Sequence, residues 1–419
     1  MNEQRNVIVI GGGLVGCSCA YYLSQEGWEV TLLERSQLGS GASYGNCGYV
    51  CPSHVMPLSG PGVVAQTLPK LIQRDAPLAI PARWDPALWR WLLNFQGECR
   101  EDRMKRAAEG RHALLQSSMK LYRDLVEAES MDCEWTDQGL LLVYRSASEF
   151  DGYSKTVERL QSDYDVRVDA YPGDELIQFE PALQEGLAGG WHFPGDAHVR
   201  PDRLVDGYRQ ALTKSQVEIR EQIEVLHIET SGGKVTRLVT SEGDFAADRF
   251  VLATGAEAPQ FAKDLKIHLP IQPGKGYSLT YDDYDAPPRV PMIFEEHHVA
   301  VTPFKEGFRV GSTMEFTGYD RRLNPKRLAL LKKSAAVHLK ATLPREASES
   351  WCGWRPMVYD GLPCIGSLKS LPNLFIAAGN GMVGLASAPA TGRLIADLAS
   401  GKTPHIEAKL YSPDRFNRP

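Results

Sequence analysis

No apolar run in this sequence approaches the ~18 residues that a membrane-spanning helix needs. Nor is there an excess of positive charge: the net charge of −6 argues against nucleic-acid binding as the main task. Blocks of like charge, internal repeats and low-complexity stretches are missing too, so neither a charged tail nor a solenoid is expected. The opening residues, MNEQRNVIVIGGG, pass from a short strand straight into a glycine turn. A secretory leader needs a longer apolar stretch and a small-residue cleavage site, so a cytoplasmic location is expected. Of the eight cysteines, Cys17 and Cys19 are two apart and Cys47 and Cys51 four apart, and neither spacing, with no nearby His cluster, makes a zinc-ligand pattern, so no metal is expected.

What is present is an ordinary globular composition, 43% hydrophobic and 23% charged, over 419 residues. That length suits two joined domains. Asn6–Ile10 reads as a buried strand, Leu14–Glu26 as a helix and Trp28–Leu33 as a second strand. Between the first strand and the helix stands Gly11-x-Gly13-x-x-Gly16. Gly11 permits the tight turn, Gly13 lets backbone amides approach a pyrophosphate, and Gly16 lets helix and strand pack closely. The helix start then turns its positive dipole end toward the phosphates. Glu34 closes the second strand, where an acid binds ribose hydroxyls and repels a 2′-phosphate. A bare glycine motif is weak evidence; its position between strand and helix, with the acid after it, makes a dinucleotide site specific.

Three further segments favour FAD over NAD. The small-residue loop from Gly39 to Gly48 can lie along a flavin and ribityl chain. The strand ending in Ala253-Thr254-Gly255 can bring backbone close to the dinucleotide. The turn Gly379-Asn380-Gly381-Met382-Val383-Gly384 before a helix can aim a second positive helix end at the flavin.

Together with Lys275-Gly276-Tyr277-Ser278, Arg309 through Glu315, Gly353-Trp354-Arg355-Pro356 through Gly366, and Ala388 through Gly392, these elements give a chain that resembles the glycine/D-amino acid oxidase (DAO) family, and within it the bacterial D-amino acid dehydrogenases. The resemblance covers nearly the whole chain. It implies an α/β protein: a discontinuous, glutathione-reductase-type FAD-binding domain of Rossmann-like form, and an α+β substrate domain on a large antiparallel sheet. The expected division is 1–55, 195–260 and 350–419 for FAD, with 56–194 and 261–349 for substrate. By resemblance Leu14, Val15, Glu34, Arg35, Ala42, Ser43, Asn46, Gly48 and Tyr49 line FAD beside the glycines, Thr254 and Gly255. Val225 offers backbone to the adenine, and Gly381, Met382, Val383, Gly384 and Leu385 approach the isoalloxazine.

The implied reaction is oxidation of a small amino acid, a D-amino acid foremost, by hydride transfer from the α carbon to flavin N5, giving a 2-oxo acid and ammonia. Arg355 is expected to grip the substrate carboxylate, because a guanidinium fork fixes a carboxylate at two points; pairing with Asp360 is the structural alternative. Tyr277 is placed as a carboxylate donor or pocket wall, and Lys275 near N5 through water, or both as packing residues. Met382 stands where glycine-oxidising relatives carry arginine. Arg355-Pro356 stands near the place where sarcosine-oxidising relatives attach FAD through cysteine, so FAD is expected to be non-covalent. Rival readings are a secondary amine (proline, hydroxyproline, sarcosine), a 2-hydroxy acid, or a flavin-binding subunit without turnover. The expected electron acceptor is oxygen or a quinone. Ile80–Phe95, with Trp84, Trp89 and Trp91, reads either as a helix packed on the β domain or as a weak peripheral contact with the inner face of a membrane.

Overall fold

The computed structural model describes residues 5–417 except 70–75, 82, 283 and 285. Residue 82, within the expected Ile80–Phe95 segment, therefore lies outside the described residues. Asn6–Ile10 sits inside a six-stranded sheet ordered Cys364–Leu368, Leu371–Ala378, Arg249–Leu252, Asn6–Ile10, Glu29–Leu33, Glu218–Arg220. Its strands run parallel apart from the outer Cys364–Leu368 strand. Apolar residues alternate between the two faces because a strand's side chains repeat every second residue. Val7, Val9, Val30, Leu32 and Val251 meet one layer of helices: Leu14–Gln25, Glu101–Ala128, Pro201–Lys214 and Ala388–Ala399. Ile8, Ile10, Leu33, Phe250 and Leu252 meet the three-stranded sheet of residues 225–245.

Small residues set the spacing in the helical layer. A Cβ on Gly392 would lie 2.4 Å from the Ser18 carbonyl carbon, so the Ala388–Ala399 helix crosses Leu14–Gln25 at backbone contact. The long Glu101–Ala128 helix contributes Leu114, Met119, Tyr122 and Leu125 to this same core, although the sequence-based division puts residues 56–194 on the substrate side.

The other half is a nine-stranded, mostly antiparallel sheet. Its path is Glu349–Val358, Ile271–Tyr281, Phe308–Glu315, Val299–Pro303, Met292–Phe294, Leu140–Tyr144, Gly189–Phe193 and Asp169–Pro172, with Leu78–Ala79 attached beside Phe308–Glu315. Glu349–Val358 pairs along Ile271–Tyr281, so residues 350–358 lie in the substrate-side sheet rather than with the dinucleotide fold. The helix Pro325–His338 covers the back of this sheet through Leu331 and Ala335. The front faces the six-stranded unit.

Candidate active site

A cavity of about 1510 Å³ runs from the glycine turn to the front of the large sheet. Ordinary small-molecule pockets reach ~300–1000 Å³, so there is room for a dinucleotide and a small substrate. Gly11, Gly13, Leu14, Val15, Glu34, Arg35, Ala42, Ser43, Asn46, Gly48, Tyr49, Val225, Thr254, Gly255 and Gly381 through Leu385 all line it. Cys47, Ser312 and Thr313, which fall inside the motif segments without being singled out, line it too, as do Trp351 and Glu295, to which no sequence motif points.

The cradle is built by close approaches. Gly11 has φ +104°, in the region that favours glycine. A Cβ on Gly16 would fall 1.8 Å from the Gly11 carbonyl oxygen, which fixes the helix against the turn. The Glu34 carboxylate accepts from Gly12 N at 2.7 Å and Ser36 N at 2.9 Å, placing the acid at the turn. Ser43 Oγ accepts from Leu14 N at 3.0 Å and ties the small-residue loop to the helix start. Asn46 braces that loop, its Nδ2 donating to Ser43 O at 2.7 Å and its Oδ1 accepting from Gly48 N at 2.8 Å. Arg35 forms a two-point pair with Glu257 at 2.8 and 2.5 Å. The Tyr49 hydroxyl lies 2.8 Å from both the Met292 and Val301 carbonyls, so it anchors the loop to the sheet. The Gly381 turn is held by Asn380, whose amide donates to Ser387 Oγ and Thr391 Oγ1 at the start of the Ala388–Ala399 helix. The buried Thr254 and Thr313 hydroxyls, both on the cavity wall, have no hydrogen-bond partner among the described residues. Unpartnered buried polar atoms are rare, and both of these belong to residues of the cavity wall.

The roof is the Glu349–Val358 and Ile271–Tyr281 pair. Gly274 faces Arg355 across it, and Gly276 faces Gly353. The Arg355 guanidinium folds back over Gly276, where a Cβ would lie 2.3–2.6 Å from its atoms. Nη1 donates to the Thr313 carbonyl at 2.8 Å. That carbonyl sits on a bulge in which Ser312 (φ 103°) and Thr313 (φ 54°) are both left-handed. Such backbone costs ~1–3 kcal/mol per residue and gathers at functional sites. Asp360 is not the partner of Arg355, because it pairs with Arg415 at 2.7 Å. Among the described residues Arg355 forms no salt bridge. Burial pulls its pKa down, and the Cys47 thiol opposes that shift.

Two expected residues turn away. Lys275 and Tyr277 alternate with Gly276, so their side chains take the opposite face of the strand. The Lys275 ammonium is buried and donates to the Arg322 carbonyl, and Lys275 does not line the cavity. The Tyr277 hydroxyl donates to Glu315 at 2.6 Å, with Arg327 and Asn324 on the same carboxylate. Lys275 near the flavin is thus corrected to a packing role behind the sheet; Tyr277 lines the cavity as part of its wall, but its hydroxyl is taken by Glu315 and is not free to act as a carboxylate donor. Arg309, by contrast, carries a structural task that its place in the Arg309–Glu315 segment does not specify. It is buried and donates to the Tyr44 and Asn46 carbonyls at 3.1 and 2.9 Å, pinning the cofactor loop to the sheet.

Cys51, His54 and Asp196 bring ligand-type atoms within 4.8 Å of one another, a grouping invisible to spacing because Asp196 arrives from a distant segment. Asp196 accepts from Ser53 N and Oγ at 3.0 and 2.5 Å. Burial pushes its pKa up to about 7, pushes the Cys51 thiol well up and drops His54 to about 4, so the three favour their neutral forms.

This cradle and roof coincide with a match over residues 6–398 to the DAO family of FAD dependent oxidoreductases. The chain belongs to that family. Similar proteins include D-amino acid dehydrogenase 1 of Mesorhizobium japonicum, 31% identical with 98% of this chain and 99% of the relative covered. The D-amino acid dehydrogenase of Chromohalobacter salexigens is 34% identical, covering 96% of this chain and 97% of the relative. Glycine oxidase from Geobacillus kaustophilus has a similar structure (TM-score 0.77, 24% identity, 98% and 99% covered), as does L-proline dehydrogenase from P. horikoshii (TM-score 0.74, 20% identity, 100% and 99% covered). As a DAO-family oxidoreductase, the chain has residues that fit FAD: the glycine turn and Glu34 for the adenosine and pyrophosphate half, and the loops around Ser43 and Gly381 for the flavin half.

The placement of Arg355 yields a direct expectation. In Gly276→Ala the new methyl meets only the far end of a flexible side chain, so the protein folds and Arg355 moves. KM for the amino acid should rise about tenfold, the ~1.4 kcal/mol of one disturbed charge-assisted bond, with kcat less affected. Steady-state kinetics check it.

Proposed function

We propose that this protein oxidises a D-amino acid to its imino acid, which water converts to the 2-oxo acid and ammonia, with Arg355 holding the substrate carboxylate. The observation that carries the reading is a guanidinium on the cavity roof, beside a dinucleotide cradle, with no carboxylate partner among the described residues. FAD, when bound non-covalently there, supplies the hydride acceptor. The chain's own residues do the rest. Arg355 offers a two-point grip that fixes the direction of the Cα–H bond. The Thr313 carbonyl orients Arg355, and the bare Gly276 and Gly353 make room on the roof for the Arg355 guanidinium and the Trp351 ring. Names of the relatives support a D-amino acid substrate.

The acceptor reading rests on the rim of the cavity. Leu58, Leu68, Trp89 and Leu93 line it and are 46%, 58%, 49% and 69% exposed, with Trp84 nearby in sequence at 92%. The helix Pro86–Glu98 packs through Leu88 and Trp91, the latter donating to the Pro270 carbonyl at 3.0 Å, so one face of this segment is packed and the other is open. Among the described residues no helix is long and apolar enough to cross a membrane. An apolar rim suits a lipid-phase quinone reached from the inner membrane face better than oxygen, which needs no docking surface.

An anaerobic screen of D-, L- and cyclic amino acids and 2-hydroxy acids tests the whole reading. D-amino acids should bleach the flavin, and a quinone analogue should restore the colour faster than air. Bleaching by L-proline or 2-hydroxyglutarate alone would replace the reading, and no bleaching by any of them would favour a non-catalytic flavoprotein.

A further inference from the structure

The cavity wall carries a largely buried carboxylate that the reaction does not use. Glu295 follows the Met292–Phe294 strand, lines the cavity, and leaves its side chain only 22% exposed. Its surroundings disfavour a lone negative charge: burial, then Glu296 and Glu149, push its pKa up to about 7. The nearest cation-forming group is His298, whose Nδ1 lies 3.7 Å from Oε2. A bound cation would relieve that unfavourable burial.

The sheet register locates Glu295 relative to Arg355. Phe294 pairs with Val299, Val299 with Ser312, and Ser312 with Tyr277. Glu295, His298, Thr313 and Gly276 therefore lie along nearly one row, and the Arg355 guanidinium rests on Gly276. Three strand spacings put the two ends ~14 Å apart. An extended arginine spans ~7 Å from carboxylate to guanidinium; a hydrogen-bonded contact at each end brings the total to ~14–15 Å. The wall between them carries Ser312, Ala300 and Ile293, small or apolar side chains against which a methylene stem can lie. A short side chain such as that of alanine leaves this far end unused.

We propose that Glu295 receives the cationic end of a basic D-amino acid, of the arginine or lysine class, while Arg355 holds its carboxylate. This rests on the D-amino acid reading above and adds the substrate class. The test compares D-arginine and D-lysine with the neutral D-norleucine on the holoenzyme. The basic substrates should have kcat/KM at least about tenfold higher, and Glu295→Gln should lower D-arginine turnover about 10- to 100-fold more than D-norleucine turnover. A binding arm uses 5-guanidinopentanoate, which has no amine to oxidise, against hexanoate by calorimetry. The guanidino acid should bind more tightly, and Glu295→Gln should erase the difference. Equal use of D-norleucine and D-arginine overturns the proposal while leaving the D-amino acid reading intact. Should no D-amino acid bleach the flavin, that reading falls and the binding arm alone judges Glu295. If Glu295→Gln does not fold, the wild-type preference for D-arginine over D-norleucine decides, a ratio near one sinking the proposal.

Discussion

Arg355→Ala should give a folded, yellow protein that hardly turns over. Arg355 makes one hydrogen bond among the described residues, to the Thr313 carbonyl, out of the five N–H donors a guanidinium carries. Its other donors are available to a ligand in the cavity it lines. Removing one partner of a desolvated, hydrogen-bonded charge pair costs about 2–5 kcal/mol, or roughly 30- to several-thousand-fold in kcat/KM. The cofactor should stay, because the glycine turn, Glu34 and the Ser43 loop do not depend on Arg355. Arg355→Lys should recover only part of the loss, since an ammonium is a point charge without the planar fork. Steady-state kinetics and the flavin-to-protein ratio separate the two effects. Normal turnover in the alanine variant would remove Arg355 from the site.

Gly16→Ala should do the opposite, costing the protein its colour. The added methyl would lie 1.8 Å from the Gly11 carbonyl oxygen and 3.0 Å from its carbon, both backbone atoms that cannot swing aside. The helix must move off the strand, and the amides facing the pyrophosphate move with it. Overpacking of this kind costs about 1–3 kcal/mol of stability. The purified variant should carry much less flavin and unfold at lower urea concentration. Gly152→Ala is the control, since nothing lies within 4 Å of the added carbon and the residue is away from the cavity. A Gly16→Ala protein with full flavin and an unchanged urea midpoint would show that helix and turn tolerate separation.

The two variants differ in how far the sequence alone announces them. The cofactor side is legible because its signals are local. Gly11, Gly13 and Gly16 act within one strand–turn–helix unit, and Glu34 ends the next strand. The substrate side depends on which parity of a strand faces the cavity, and a chemical role for the Lys275 ammonium and the Tyr277 hydroxyl takes the wrong face. A clue does exist in Ile271–Tyr281. Gly274, Gly276 and Ser278 are small and share one face, whereas Lys275, Tyr277, Leu279 and Tyr281 are large and share the other. The small face is the one that leaves space for a ligand and for the Arg355 side chain. No such clue announces the Ser312–Thr313 bulge, because neither residue favours a left-handed backbone. Asp196 beside Cys51, and Glu295 opposite Arg355, depend on long-range strand pairing that spacing cannot supply. Likewise Glu101–Ala128 looks like any charged helix until its Leu114 and Tyr122 are seen buried against the dinucleotide half.

The threading of the chain has a mechanical consequence. Strands of the six-stranded sheet come from near both ends and from the middle of the polypeptide, and those of the nine-stranded sheet fill the intervals. Several covalent crossings stitch the halves together, backed by the Tyr49 and Arg309 ties from the cofactor loop to the opposite sheet. Neither half can swing like a jaw on a single hinge, so the gap between them keeps its width through the catalytic cycle. Entry and exit are left to small rearrangements at the oily lip.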